Sequence, residues 1–202
     1  MTSRKPEAPF CFPPTASRFP LPASRSDGDI LFSVKKALVI LAQDGYQDRE
    51  YAGTRGELGK AGFGIVVASV RAGECQGKLG GKEQAAVALR DVRVADYDRI
   101  AFIGGPGAGA LASDPEALRI ANDAVRAEMP LGAICIAPVI LAKAHVLDGR
   151  KATVWDSGGE QAGVLERYGA IYTGEDVTVD GKIVTGSGPS AAEEFGRTLA
   201  SL

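Results

Sequence analysis

The residue best placed to do chemistry is Cys135, which lies between a short apolar strand predicted over 131–134 and a helix predicted over 137–146. A strand-to-helix corner holds a nucleophilic side chain up into the crevice above a sheet. The free N–H groups and positive end of the helix favour a thiolate, so the sequence predicts a pKa below the ordinary value of about 8.5. The N–H of Ile136 is placed to stabilise an oxyanion. A small cysteine buried in the core is the alternative.

A glycine pair, Gly104 and Gly105, ends the apolar strand predicted over 99–103. Glycines let backbone approach a ligand closely, and the Gly105 N–H would point toward the crevice of Cys135. Residues 105–110 also fit the loose dinucleotide pattern G-x-G-x-x-A, but they do not follow the first strand and Pro106 lacks an N–H. One histidine and three cysteines form no zinc pattern. We therefore expect neither a cofactor nor a metal.

A third candidate is Glu50, which lies early in a helix predicted over 47–61 after the first strand. A carboxyl group there can reach the centre of the crevice. When protonated it can donate a hydrogen bond to a thiolate, and when ionised it can act as a base. Asp44 and Asp48 lie in the same segment, and a solvated acid in the first helical turn is an ordinary feature. Spacing alone therefore does not select Glu50.

The only histidine, His145, is ten residues beyond Cys135. Along a helix this separation is about 15 Å, which excludes a Cys-His dyad within the chain. Near a helix C-terminus, His145 is expected to complement the helix dipole. Cys75 lies in a Gly-rich segment and Cys11 near the N-terminus, and neither has the placement of a nucleophile.

Alternating apolar and helical segments predict the elements that position these residues. Residues 71–98 are expected to form short β-segments with a hairpin, and Asp180-Gly181 predicts a type I′ turn within a hairpin over 177–185. Repeated β-α units predict a single-domain α/β fold, a flavodoxin/Rossmann-like parallel sheet sandwiched by helices with a small β-hairpin. The strands are predicted over 37–42, 64–70, 99–103 and 131–134, and the helices over 47–61, 113–128, 137–146 and 190–201.

Composition narrows the class of protein. The chain has 202 residues, of which 45% are hydrophobic and 24% charged, and its formal net charge is -2. Such values fit an ordinary globular domain and exclude nucleic-acid binding by bulk charge. The sequence has no apolar run long enough to span a membrane, and few cysteines fit a reducing compartment, so we expect a cytoplasmic protein.

The N-terminal segment differs from the remainder of the chain. Residues 1–34 hold six of the eleven prolines and show no periodicity. Proline-rich polar sequence buries too little apolar surface to offset its ordering entropy. We expect a disordered extension over 1–34 and a folded domain over 35–202, with a targeting peptide or an upstream start site as alternatives.

Taken together, these residues resemble the DJ-1/PfpI superfamily, which has a class I glutamine amidotransferase-like fold. The resemblance covers about 35–202 and is closer to the DJ-1 branch than to the PfpI protease branch. It rests on the first strand over 36–42, Glu50, Gly104-Gly105, the elbow Ala133-Ile134-Cys135-Ile136-Ala137-Pro138, Thr185-Gly186-Ser187-Gly188-Pro189, and Glu194-Phe195.

The resemblance implies a stress-response enzyme, either a glutathione-independent glyoxalase or a protein deglycase, acting on methylglyoxal or on glycated thiols and amines. It assigns Cys135 as nucleophile and Glu50 as acid and base, and it places the backbone of Gly104, Gly105 and Ile136 around the oxyanion. It also implies a homodimer whose partners are a small carbonyl compound or a glycated protein, with no nucleic acid and no membrane.

Two departures from the family pattern bear on activity. Ile136 stands where protease members carry a histidine, which counts against a peptidase. Trp155 stands where the DJ-1 branch often has a histidine. Trp155 and Asp156 are predicted to line the pocket, with core packing as the alternative for Trp155. The alternatives are a redox-sensing stress protein or chaperone that uses cysteine oxidation, another thiol hydrolase or hydratase, and a non-catalytic scaffold that binds partners.

Overall fold

The computed structural model describes residues 34–202, so the predicted extension, apart from Val34, and Cys11 lie outside the described residues. Within this part, the strands are β1 (Lys36–Ile40), β2 (Asp44–Tyr46), β3 (Gly64–Ser69), β4 (Gly73–Gly77), β5 (Lys82–Ala85), β6 (Val87–Ala88), β7 (Arg99–Phe102), β8 (Leu131–Ile134), β9 (Lys151–Ala152), β10 (Ile171–Tyr172), β11 (Val177–Asp180) and β12 (Ile183–Gly186). The helices are α1 (Asp48–Lys60), α2 (Ala108–Leu111), α3 (Pro115–Arg126), α4 (Pro138–Lys143), α5 (Glu160–Arg167) and α6 (Ala192–Ser201). None of these helices is long and apolar enough to cross a membrane.

A seven-stranded sheet forms the centre of the domain, in the order β11-β12-β8-β7-β1-β3-β6. All neighbouring pairs are parallel except β11 and β12. Side chains of β1 alternate between two cores, as the pleat of a strand requires. Leu38 and Ile40 join a core with α3, α4 and α5, whereas Ala37 and Val39 join a core with α1 and α6. The predicted α/β sandwich with a mainly parallel sheet is therefore confirmed.

The start of α3 shows how local sequence fixes an element. Asp114 is the N-cap, and its Oδ1 accepts hydrogen bonds from the N–H groups of Glu116 at 2.8 Å and Ala117 at 3.1 Å. Pro115 occupies the first helical turn, where its missing N–H costs nothing. The helix predicted over 113–128 thus begins only after Asp114, and Ser113 lies outside it.

Several elements differ from the sequence prediction because tertiary contacts decide them. The dipeptide Asp44-Gly45 is typical of a turn, but it lies in β2, which pairs in parallel with β4 in a three-stranded sheet, β2-β4-β5. The predicted hairpin within 71–98 is confirmed as β4 and β5. Helix α5 was not predicted, because Gly158, Gly159 and Gly163 obscure a short pattern whose Ala162 and Leu165 are buried.

The hairpin of β11 and β12 is confirmed, but its turn is one residue later than predicted. Asp180 pairs with Ile183, which leaves Gly181 and Lys182 as the two-residue loop. Gly181 has a φ of 59°, and Lys182 does not have positive φ. A positive φ at the first loop residue alone fits a type II′ turn, so the predicted type I′ turn is wrong.

Candidate functional site

The candidate site lies at the carboxyl ends of three adjacent strands, β8, β7 and β1. Cys135 follows β8, and Gly104 follows β7 after a single residue. Glu50 reaches the same place from the first turn of α1, which follows β1 through β2. An ideal Cβ on Gly104 would lie 2.5 Å from Cys135 Cβ and 2.8 Å from Glu50 Oε2. The fold thus brings Cys135, Glu50 and Gly104 into one cluster, at the strand ends where ligands bind in such sheets.

Cys135 occupies a strained backbone corner. Its φ is 64°, in the left-handed region that non-glycine residues rarely adopt. Two backbone hydrogen bonds hold this conformation: the Cys135 N–H donates to Gly186 O at 2.8 Å, and Trp155 N–H donates to Cys135 O at 2.8 Å. Helix α4 begins only three residues later at Pro138. The corner therefore fixes the thiol at the floor of the crevice, and strain of this kind is typical of functional sites.

Glu50 is completely buried beside this corner. Its Oε2 accepts a hydrogen bond from Gly104 N–H at 3.1 Å. Its Oε1 has no hydrogen-bond partner that meets normal geometry among the described residues. Gln47 N–H donates to Gly104 O at 2.9 Å and ties the start of α1 to the same glycine. A buried carboxyl group with one unsatisfied oxygen is costly to ionise, which suits a group that holds or moves a proton.

The thiol and the carboxyl group control each other's ionisation. Burial raises the pKa of Glu50 to about 7, although the Cys135 thiol and the Gly104 N–H oppose this rise. Burial and the charge of Glu50 raise the pKa of Cys135 to about 12. The predicted lowering of the Cys135 pKa is therefore wrong. Helix α4 has only six residues and its dipole is correspondingly weak, so desolvation and the nearby carboxylate dominate. Between these pKa values the pair holds one proton.

Two backbone amides point at the reactive sulfur. The N–H groups of Gly105 and Ile136 donate toward Cys135 and lower its pKa, against the larger effects of burial and Glu50. Gly105 has a φ of 103°, which a residue with a side chain rarely adopts. The Gly104 N–H is engaged by Glu50 and is not free for an oxyanion. Of the three predicted backbone groups, Gly105 and Ile136 are thus the pair that can hold negative charge.

A cavity of about 290 Å³ opens above the thiol. Trp155 lines it, as the sequence predicted for this residue, and its side chain is partly exposed. Asp156 does not line it, because its Oδ1 accepts hydrogen bonds from the N–H groups of Gly158 and Gly159 in the loop before α5. The lining residues are Gln47, Lys78, Gly105, Pro106, Cys135, Ile136, Trp155 and Pro189. The cavity suits a small molecule that reaches the sulfur between apolar walls.

Sequence reasoning missed Lys78 and Gln47 as pocket residues. Lys78 follows β4 at the tip of the hairpin, beyond both α1 and β3 along the chain, and nothing in its neighbours marks it. Gln47 caps α1, since its side chain accepts a hydrogen bond from Arg49 N–H. The position of Gln47 at the start of a helix indicates a capping residue, and it does not indicate a pocket.

The other candidates lie away from the thiol. Asp44 is exposed in β2, and Asp48 accepts hydrogen bonds from backbone N–H groups of the β4–β5 loop. His145 follows α4, is exposed and packs edge-on against Tyr168 at 5.3 Å between ring centroids. Cys75 is fully buried in the three-stranded sheet. Within residues 34–202, no three His, Cys, Asp or Glu side chains are grouped to hold a metal ion. The reactive groups that the fold assembles are thus a thiol, a carboxyl group and two amides.

The paired ionisation predicts a pH profile for the thiol. We expect the rate of Cys135 alkylation by iodoacetamide to rise with pH with a midpoint near 7, because the pair loses its first proton there. In Glu50→Gln this step should disappear, because no carboxyl group remains to lose that proton. The rate should instead keep rising with pH toward a thiol pKa that burial still holds high and that the carboxylate no longer raises. Rates are measured from pH 5 to 9 by mass spectrometry, with Cys135→Ser to identify any reaction at Cys11 or Cys75. A rate that is constant from pH 5 to 8 would contradict the paired titration.

Comparison with known proteins agrees with this geometry. The sequence model of the DJ-1/PfpI family matches residues 35–202. An uncharacterised protein of Methanocaldococcus jannaschii is 33% identical over 162 residues, which are 80% of this chain and 78% of that protein. A Bacillus subtilis protein named as a candidate cysteine protease is 30% identical over 84% of this chain and 99% of its own length.

Solved structures show the same fold. A ThiJ/PfpI domain protein from Brachyspira murdochii superposes with a TM-score of 0.79 and is 26% identical, over 83% of this chain and 96% of that one. Drosophila melanogaster DJ-1beta superposes with a TM-score of 0.74 and is 26% identical, over 83% of this chain and 89% of that one. The family match over the whole described domain, together with a cysteine elbow beside a buried glutamate, identifies the chain as a member of the DJ-1/PfpI family.

Proposed function

We propose that this protein is a cysteine-dependent enzyme of the glutathione-independent glyoxalase or deglycase type, which acts on 2-oxoaldehydes such as methylglyoxal or on their adducts with thiols and amines. The observation that carries the proposal is the pairing of Cys135, on its strained corner, with the completely buried Glu50. Family membership supports cysteine-type chemistry in a stress-related protein. The pocket adds the means to bind a small carbonyl compound.

The first chemical step follows from the positions of these groups. The sulfur of Cys135 attacks the aldehyde carbon, and the S–H proton passes to Glu50, whose pKa of about 7 suits a group that accepts and returns protons at neutral pH. The aldehyde oxygen becomes an oxyanion, which the N–H groups of Gly105 and Ile136 stabilise. Its protonation gives a hemithioacetal.

The second step is an internal redox exchange that needs no cofactor. Glu50 as carboxylate removes the proton from the former aldehyde carbon, and a proton returns to the neighbouring carbon through an enediol. The aldehyde carbon is thereby oxidised to a thioester and the ketone carbon is reduced to an alcohol. Water hydrolyses the thioester, which releases a 2-hydroxy acid and regenerates the thiol. For methylglyoxal the product is lactate.

The deciding experiment follows methylglyoxal loss and lactate formation without glutathione. Cys135→Ser should reduce turnover to the uncatalysed background, and Glu50→Gln should reduce it by about 10²–10⁴-fold, the usual contribution of a general base. Cys75→Ser is the matched control, because Cys75 is buried away from the pocket and should keep the wild-type rate. Equal turnover in the wild type and Cys135→Ser would rule out the thiol mechanism.

A redox role is the second candidate, supported by the same pair of groups. A protonated Glu50 beside the sulfur can donate a hydrogen bond to a sulfinate, and the Gly105 and Ile136 amides can bind its charge. One solved relative, 28% identical with a TM-score of 0.69, is Toxoplasma gondii DJ-1 described as oxidised. Mass spectrometry after peroxide treatment tests this role. Selective gain of two oxygen atoms at Cys135, without methylglyoxal turnover, would favour it.

Peptidase activity receives less support from the site. The Bacillus subtilis relative is named as a candidate cysteine protease. The pocket lining among the described residues contains no histidine, and Ile136 follows the nucleophile, so no imidazole is at hand to take the thiol proton and pass it to a leaving amine. We expect no cleavage of unfolded casein above that of Cys135→Ser. The predicted homodimer stays a prediction, which light scattering of the purified chain would test.

A further inference from the structure

Among the residues that the structure describes, Lys78 is the only charged one that lines the cavity above Cys135. Within residues 34–202 it forms no ion pair, although other lysines of the domain do, such as Lys82 with Glu74 at 3.0 Å. The lining of the cavity also includes the apolar side chains of Ile136 and Trp155. A cation without a partner beside a small cavity is a recognition element for an anionic group.

The backbone of the loop that carries Lys78 is held in place by several hydrogen bonds. Its N–H donates to Tyr46 O at 2.8 Å. Asp48 holds the remainder of the loop: Oδ2 accepts from Leu79 N–H at 2.7 Å and Oδ1 accepts from Gly81 N–H at 2.8 Å. Gly77 and Gly81 leave no space for a Cβ, since an added carbon would collide with the Asp48 carboxylate. The loop therefore has one favoured position, at the edge of the cavity.

Asp48, which holds the loop of Lys78, and Glu50 belong to the same helical turn. Asp48 and Glu50 are the first and third residues of α1, so the turn that buries Glu50 also sets the hairpin carrying Lys78. The positive charge of Lys78 acts on the carboxyl group of Glu50, where it favours the ionised form. Lys78 is thus electrostatically part of the site, although its side chain is exposed.

We propose that Lys78 makes this pocket selective for 2-oxoaldehydes that carry a carboxylate at the far end, in preference to neutral methylglyoxal. This inference rests on the proposed function for the reaction itself. A representative is 4,5-dioxopentanoate, whose aldehyde reaches Cys135 while its carboxylate pairs with Lys78. The reaction is balanced as before: the aldehyde carbon is oxidised, the ketone carbon is reduced, water is added, and 2-hydroxyglutarate is released.

A pair of alkylating agents tests charge recognition without any turnover. Iodoacetate and iodoacetamide have nearly the same shape, and only the first is anionic. The ratio of their rate constants at Cys135 should fall roughly five- to tenfold in Lys78→Met, the loss of one ion pair near a surface. Lys78→Arg should preserve the ratio. Lys82→Met is the matched control from the same hairpin, and should also preserve it, because Lys82 does not line the cavity.

Turnover provides the second measurement. The ratio of kcat/KM for 4,5-dioxopentanoate to that for methylglyoxal should exceed one in the wild type and fall in Lys78→Met by a similar factor. If neither compound is consumed while the alkylation ratio still depends on Lys78, the proposed reaction fails and the anion site stands. If both ratios are the same in the wild type and Lys78→Met, selectivity through Lys78 is overturned, whatever the turnover.

Discussion

Replacement of Glu50 by glutamine should stabilise the folded protein by about 3 kcal/mol more at pH 8 than at pH 4.5. Burial raises the pKa of Glu50 from 4.5 to about 7. The unfolded chain releases this proton near pH 4.5, whereas the folded protein keeps it until about pH 7. The folded state therefore binds more protons across this window, and stability falls as pH rises. Each pH unit contributes about 1.4 kcal/mol. Glutamine has no such titration.

The measurement is urea unfolding of the wild type and Glu50→Gln at both pH values. Glu57→Gln is the control on the same helix. A hydrogen bond from Lys60 lowers the pKa of Glu57, so this carboxylate adds stability above pH 4.5 and its replacement should destabilise the protein at pH 8. If the two substitutions change the free energy of unfolding at pH 8 in opposite directions, the effect at position 50 comes from burial and not from the loss of any negative charge on α1. A parallel pH dependence of the two variants would contradict a buried acid at position 50.

This stability difference indicates that Glu50 serves proton transfer and not the stability of the fold. A glutamine keeps an oxygen for the Gly104 N–H and avoids the unfavourable ionisation of a buried carboxylate. It cannot accept the thiol proton or return it to carbon. The domain is thus less stable than it could be at neutral pH, in the place where proton transfer needs a pKa near 7.

The position of the nucleophile was predictable because it depends on local sequence. An apolar run, one cysteine and a helix entered through Pro138 are adjacent in the chain, and together they define a corner. The mainly parallel sheet follows from the same alternation of strands and helices, although the order of its strands does not. The sequence also placed Glu50 in the first turn of α1, although it could not separate this residue from Asp48.

The pKa of Cys135 and the presence of Lys78 at the pocket could not be predicted from local sequence. The pKa of Cys135 depends on burial by residues far apart in sequence and on the carboxyl group of Glu50. The placement of Lys78 depends on hydrogen bonds from the hairpin to Asp48 across more than thirty residues. Sequence periodicity reports which face of an element is apolar, and it does not report which loop is held against which helix.

Gly104→Ala should disrupt the site more severely than its small change in volume suggests. The added Cβ would lie 2.5 Å from Cys135 Cβ, 2.7 Å from Ile134 O and 2.8 Å from Glu50 Oε2. Two of these atoms belong to the β8 corner, which hydrogen bonds to Gly186 and Trp155 hold in place. Relief of the clash must therefore move the corner, at a cost of about 1–3 kcal/mol in stability.

The same movement should cost more in activity than in stability. A displacement of about 1 Å between reacting groups lowers rates by roughly 100-fold, so we expect at least this loss in Gly104→Ala, together with slower alkylation of Cys135. Gly56→Ala is the matched control, since its Cβ would meet nothing on the exposed face of α1 and should add about 0.5–1 kcal/mol of stability. Wild-type turnover in Gly104→Ala would mean that the thiol and carboxyl group react without the close packing around this glycine, and that the Cys135–Glu50 contact is not what sets the rate.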